Sequence, residues 1–434
     1  MASIYNSFKD VFQDLKKENS ENKSFISVVV LLLSIPLGYA VNSIALGIFV
    51  GVSLITFQKE NFKIKKKLVW PILLYLLMVL SLIWTLSVSR TLSSLSKELP
   101  LLLIPLCFFI IKVFTKDQLF KIFKYYSYGM LIYSVFYFIK ATIRYLITKD
   151  ISVFFYHELV TKDLNAIHVS IYMSLACFYF MSKKNKQLVD KMAIAVLTVT
   201  ILFLSSKNVV IVFLALTVLY YFFHSEISKK AKYVSGIGIF LILVSLTFVK
   251  QVRDRFLVEV KTNVTENTLA EGDGMKNVYN VSIMQAWNNE KFQPNDYFPG
   301  TAFRVYQMRI FFEMMKEEPV FFTGYGLNAS NIKVEEKAKE YNVHEGYAKY
   351  NFHNQYIQNF AELGFFGFAI LLVMLFINVK NAINDKYFLH IVFAILMITL
   401  FLTESFLWRQ RGIMYFTMMY CLFNSERLVM AQKK

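Results

Sequence analysis

The chain has 434 residues, of which 56% are hydrophobic and 18% charged, with 47 Lys and Arg against 30 Asp and Glu and a formal net charge of +17. So apolar a composition excludes an ordinary soluble domain, and in a polytopic membrane protein the basic surplus marks cytoplasmic loops rather than a nucleic-acid surface. Cys107, Cys177 and Cys421 fall inside apolar runs without metal-ligand spacing, so neither a disulfide nor a zinc site is expected.

The leader, 1–24, places Ile4, Phe8, Val11, Phe12 and Leu15 on one helical face. It reads either as an amphipathic helix on the membrane surface or as a short helix packed on the protein. The first apolar run begins only at Phe25 and lacks a small-x-small pattern, so no cleavable signal peptide is expected. Nine apolar segments then occupy 25–249: 25–39, 41–57, 68–86, 100–113, 125–147, 166–181, 192–204, 209–223 and 234–249. An amphipathic piece at 87–98 carries Arg90 and Lys97, and a four-residue turn, Ser205-Ser206-Lys207-Asn208, joins the seventh and eighth segments. The hydrophilic stretch 250–354 follows. Three more apolar segments, 357–379, 388–402 and 412–422, fill 355–424 before a short tail at 425–434. The last is too short to span alone; it must borrow from Phe406-Leu407-Trp408 or tilt among partners.

With the N-terminus in the cytoplasm, the lysine-rich loops at 59–67, 112–124, 183–191, 229–232 and 380–386 all fall inside, as does the basic tail. That orientation puts the 87–98 piece, Lys207, the long loop, His353 and the 403–412 turn together on the outer face. Glu404, Arg409 and Arg411 lie in that turn. Charges at helix ends often only snorkel, but several cations and one histidine on one face would also form a diphosphate site.

Within the long loop, 262–295 shows no pattern beyond scattered helix. Over 302–316, Phe303, Tyr306, Ile310 and Met314 recur at helical spacing, with Arg304 and Arg309 on the same stretch. Glu317-Glu318-Pro319 stops that helix and Gly324-Tyr325-Gly326 makes a turn. The expected arrangement is an amphipathic helix across the outer mouth, its arginines meeting either a ligand or lipid headgroups. His353 and Asn354 sit where the loop enters the membrane. Histidine exchanges a proton near neutral pH, and the start of the next helix offers unpaired N–H groups. The same residues would also serve as an interfacial anchor.

His353-Asn354-Gln355-Tyr356, followed by Glu362-Leu363-Gly364-Phe365-Phe366-Gly367, resembles the signature of the O-antigen ligase and O-antigen polymerase superfamily. These are bacterial membrane glycosyltransferases working on lipid-diphosphate-linked sugars. Arg304, Pro319 and Gly324-Tyr325-Gly326 match the same family in order, as do Glu404-Ser405-Phe406 and Arg409-Gln410-Arg411-Gly412. Ser205-Ser206-Lys207 departs from it, since Arg is common where Lys207 stands; charge is kept but the guanidinium fork is lost.

The expected fold is therefore an all-α polytopic membrane protein of about twelve transmembrane helices, with one long, partly helical outer loop between helices nine and ten. The resemblance implies transfer of a glycan from undecaprenyl diphosphate to an acceptor hydroxyl at the periplasmic face of the bacterial inner membrane, with both termini cytoplasmic. O-antigen ligation to lipid A core comes first; an O-antigen or exopolysaccharide polymerase and a protein O-glycosyltransferase share the chemistry. His353 is the candidate base. Arg304, Lys207, Arg411 and Arg409 are the candidate diphosphate ligands. Glu404 would orient an arginine or His353, Asn354 and Tyr356 would contact substrate, and Glu362 would position its helix. A single displacement would invert the anomeric centre, and no cofactor, metal or nucleic acid is expected. A twelve-helix secondary transporter is the competing class. It is disfavoured by charge-poor helix interiors and the lack of an internal repeat, whereas a scaffold would have no need of cationic turns clustered with a histidine.

Overall fold

The computed structural model describes residues 2–204, 206–225 and 278–426, with a few positions between 226 and 277. Most of the expected ninth span at 234–249, the basic tail from 427 on and most of 262–277 lie outside the described residues.

Helices dominate, as the need to satisfy every backbone group within lipid requires. The leader forms α1 (Ala2–Glu21), followed by α2 (Phe25–Ser34), α3 (Tyr39–Ile55), α4 (Val69–Leu80), α5 (Val88–Glu98), α6 (Pro100–Ile110) and α7 (Lys116–Thr148). After a linking segment come α8 (Ala166–Ser182), α9 (Leu188–Phe203) and α10 (Lys207–Leu219). Among the described residues five helical runs are long and apolar enough to cross a bilayer: Lys66–Ile83, Val88–Ile110, Lys116–Thr148, Lys207–His224 and Gln355–Asp385. Four more apolar helices, α2, α3, α8 and Phe388–Phe401, are shorter.

Two local readings gain detail. The 87–98 piece is helical, capped by the Ser87 hydroxyl accepting from Arg90 N, and only Leu99 separates it from α6, which opens on Pro100. Pro100 is tolerated there because it falls in the first turn, where its missing N–H has no partner to lose. The leader is fixed to the protein: Lys121 lies 2.5 Å from both Asp14 and Glu18, and Asn22 donates to Lys112 O. Phe12 nevertheless remains exposed.

The later part of the long loop builds its own small core. Helix α11 (Gly300–Glu317) buries Phe303, Tyr306, Ile310 and Met314, the four residues singled out by spacing, against Phe292, Phe298, Tyr325 and Phe352. Helix α12 (Ser330–Glu340) closes that core with Val334 and Ala338. Arg90 reaches back from α5 to Glu335 at 3.2 Å.

The chain then enters α13 (Gln355–Asp385), turns into α14 (Phe388–Phe401), and ends in α15 (Gln410–Asn424). The short last segment is buried on every side from Arg411 to Asn424, and Phe406–Trp408 forms a separate 3-10 turn before it. A helix apolar all round and enclosed by others need not match the bilayer thickness by itself.

Candidate functional site

The site begins with a row of amides at the start of α13. Asn354 caps the helix, its Oδ1 accepting from Tyr356 N and Ile357 N, while its Nδ2 donates to Leu402 O at 3.2 Å. Gln355 Oε1 accepts from Leu407 N at 2.7 Å, and Gln358 Oε1 accepts from both Phe352 N and Ser405 Oγ. These bonds lace the 402–407 turn onto the loop-to-helix junction. They bring His353 Nδ1 to 3.6 Å from Glu404 Oε2, just beyond hydrogen-bond length.

His353 is held in a left-handed backbone conformation, φ 47°, with its own N–H bonded to Asn351 Oδ1. Such a conformation is unfavourable for a residue with a Cβ and persists only where surroundings impose it. Its ring packs edge-on to Phe303 and close to Tyr350. The imidazole is 24% exposed, whereas the Glu404 side chain is only 3% exposed. Burial acts to raise the Glu404 pKa, but His353, His168 and Arg304 more than reverse it, and the carboxyl lies below its ordinary value.

His353 and Glu404 open on a cavity of about 350 Å³, together with Arg304 and Arg409. That size lies in the range of roughly 300–1,000 Å³ usual for small-ligand pockets. Arg304 donates from Nε to Thr403 O at 3.0 Å and from Nη1 to Gly300 O at 2.9 Å. Both partners are neutral carbonyls, so its charge is oriented rather than cancelled. Arg409 is half-buried, and its Nε has no hydrogen-bond partner among the described residues. A buried guanidinium N–H without a partner is costly unless a ligand meets it.

The other expected site residues sit differently. Arg411 does not line the cavity. It is buried, stacked 4.0 Å over the Tyr39 ring, and donates to Leu37 O and Asp163 O. Lys207 opens α10, whose next residue, Asn208, donates to Thr399 O and Thr403 Oγ1. Lys207 therefore flanks the turn that Arg304 grips, outside the cavity lining. Tyr356 packs its ring near Phe401 and donates to Ile398 O, fastening α13 to α14 rather than facing the cavity. Arg309 turns into the loop core, bound to Glu313 and Asn289 O and lying 4.5 Å over Tyr341.

Residues 192–372 match the family model described as O-Antigen ligase. That match supports the resemblance of this chain to the O-antigen ligase superfamily. The match takes in Lys207, Arg304, His353 and the Glu362 to Gly367 motif, and ends before Glu404. No curated protein matches the chain.

Within the matched stretch the glycine motif is architectural. Helix α13 breaks at Gly364 (φ 62°, ψ −161°), so the expected single helix from 357 to 379 is kinked. The Gly324-Tyr325-Gly326 turn docks on that break: Tyr325 N donates to Ala361 O and Gly326 N to Glu362 O. A Cβ on Gly364 would lie 2.3 Å from the Phe322 carbonyl, and one on Gly324 would lie 2.5 Å from that of Glu362. Two backbones meet with no room for a side chain. Glu362 is buried, its carboxyl bonded by Gln358 Nε2. Gly412 is needed for a similar reason, since a Cβ there would sit 1.9 Å from Phe406 O.

Sequence reasoning missed Gln355 and Gln358, which hold the turn, and a second wall of the cavity formed by Tyr156, His157, Asp163 and Asn165. A signal for the wall was present. The inside-outside alternation places 148–165 on the same face as His353, and Asn165 before an apolar run is a helix-cap pattern.

Proposed function

We propose that this protein is an inverting, metal-independent glycosyltransferase that moves a glycan from undecaprenyl diphosphate to an acceptor hydroxyl, with O-antigen ligation to lipid A core as the reaction. The reaction takes place at the periplasmic face of the bacterial inner membrane, both termini being cytoplasmic. The observation that carries the reading is the meeting of His353, Glu404, Arg304 and Arg409 at one cavity.

With its Nδ1 proton directed at Glu404, His353 presents the Nε2 lone pair to an acceptor hydroxyl and takes its proton as the oxygen attacks the anomeric carbon. Glu404, kept ionised, steadies the imidazolium that results. The bond to the diphosphate oxygen breaks on the opposite side of that carbon, inverting it. Arg304 and Arg409 meet the charge that develops on the leaving diphosphate. Lys207 adds a cation beside the same turn.

The reading is tested on lipopolysaccharide from a deletion strain. Ligation predicts an intact core without any O-antigen; a single repeat left on the core would identify a polymerase instead, and an unchanged profile would contradict both. The orientation is tested by a reporter active only in the periplasm. It should work when fused after Asn331 and be silent after Lys66 or Lys184, and the reverse pattern would overturn the shared outer site.

A further inference from the structure

The transfer chemistry leaves one wall of the cavity without a role: residues 156–165, which join α7 to α8. This segment is braced from two helices. Arg144 of α7 donates to Glu158 O at 2.8 Å and pairs with the Glu158 carboxylate at 2.5 Å, and Lys140 Nζ donates to Val160 O. From α15, Arg411 Nη1 donates to Asp163 O at 2.7 Å. Two residues of the segment, Tyr156 (φ 52°) and Asp163 (φ 68°), are left-handed, as is His353 on the neighbouring wall. Three strained non-glycine residues thus line one cavity, a clustering expected where surroundings hold a site in shape.

The chemistry of this wall differs from that of Arg304 and Arg409. Asp163 brings an exposed carboxylate, which repels a diphosphate and accepts hydrogen bonds from hydroxyls. His157 Nδ1 accepts from Ala166 N, which places its ring proton on Nε2 as a donor. Tyr156 adds an aromatic face for C–H groups. Carboxylate, N–H donor and ring face together suit a polyhydroxylated ring, not an anion. We propose that residues 156–165 form a saccharide-binding wall in which Asp163 accepts hydrogen bonds from sugar hydroxyls, and that Arg411 is the positioning residue that holds the Asp163 turn. The proposal rests on the glycosyltransferase reading for the origin of the sugar, which belongs either to the donor glycan or to the acceptor.

The test uses the purified full chain in nanodiscs, with lipid-linked glycan extracted from the source strain as donor and its extracted core glycolipid as acceptor. Asp163→Gly keeps the left-handed turn, since glycine adopts it freely, and removes the carboxylate. KM for one glycan should rise about tenfold or more, the worth of a hydrogen bond to a charged group. The binding of undecaprenyl diphosphate should not move. A rise confined to the acceptor assigns the wall to the acceptor, and one confined to the donor assigns it to the donor's sugar. Asp163→Asn, which keeps a carbonyl acceptor, should recover most of the loss. Arg411→Ala should show the same KM pattern and add nothing in the Asp163→Gly background, as two residues acting as one unit do. Unchanged KM for both glycans, or a parallel loss of undecaprenyl diphosphate binding, would overturn the proposal. A readout without turnover separates this from the transferase reading: saturation-transfer NMR with glycan released from the donor by mild acid. Contact with wild type that is lost in Asp163→Gly supports the wall even if no transfer occurs, and equal contact with both proteins contradicts it.

Discussion

Two histidine–carboxylate pairs stand at the two ends of α13. His353 Nδ1 lies 3.6 Å from Glu404 just before the helix begins; His390 Nδ1 lies 3.4 Å from Asp385 where it ends. By sequence span, 31 residues at ~1.5 Å each separate them by roughly 45 Å of helix. The residue chemistry is the same and the surroundings are opposite. His390 is fully buried, its Nε2 bonded to Asn378 Oδ1 and its ring stacked on Phe423. Asn424 and Asn381 extend that network, and Lys67 closes it. His353 instead turns towards a cavity that also holds two arginines. A pair whose second nitrogen is already bonded joins helices; a pair whose second nitrogen faces a cavity is equipped to move a proton.

The sharpest way to break this comparison uses the two arginines of α11, five residues apart and turned to different faces. Arg304→Ala should lower transfer by about 10²–10³, the usual cost of losing a donor aimed at developing charge, with normal expression. Arg304→Lys should restore only part, because the fork is lost. Arg309→Ala should leave transfer per folded molecule near wild type and lower the melting temperature. Full activity of Arg304→Ala would remove it from the site.

At the sealed end the effect should move to stability. His390→Ala empties the ring's place against Phe423 and removes the partner of Asn378 Oδ1, a loss of aromatic packing that costs about 3 kcal/mol or more. A large fall in melting temperature is expected, with near-normal kcat in whatever protein folds. A selective loss of kcat at unchanged stability would erase the distinction between the two pairs.

The smallest effect concerns Glu404. Its folded pKa is below the ordinary carboxyl value, so its contribution to stability is complete above roughly pH 4.3 and is lost as pH falls through the lower, folded value. The melting-temperature gap between wild type and Glu404→Gln should narrow as pH is lowered from about 5 towards 3. A gap that widens in that window would contradict the assigned direction.

These contrasts also show what the sequence made legible. His353, Arg304, Glu404 and Arg409 could be picked out because each carries a charge or a titratable ring in a short motif, and their motifs place them on one face. The buried stripe of α11 was legible from its period, since Phe303, Tyr306, Ile310 and Met314 recur at one spacing. The break at Gly364 was not, because a glycine within an apolar run announces neither a kink nor the turn that docks on it. Arg411 and Arg409 look alike in sequence, yet two carbonyls and a tyrosine ring turn Arg411 away from the cavity. Gln355 and Gln358 read as unremarkable polar positions at a helix start; their work depends on the 402–407 turn, some fifty residues later in the chain. Asp163 has no motif of its own: the alternation puts its segment on the outer face, and tertiary packing brings it to the cavity.

The central claim is that His353 is the base of the transfer. It is tested most directly by purified, normally folded His353→Gln assayed with extracted lipid-linked donor and acceptor, with His344→Ala, an exposed helix cap away from the cavity, as control. The account predicts a fall in kcat of roughly 10²–10⁴, near-normal undecaprenyl diphosphate binding, and full activity of the control. Wild-type turnover by His353→Gln would show that this histidine anchors the helix and that the proton goes elsewhere.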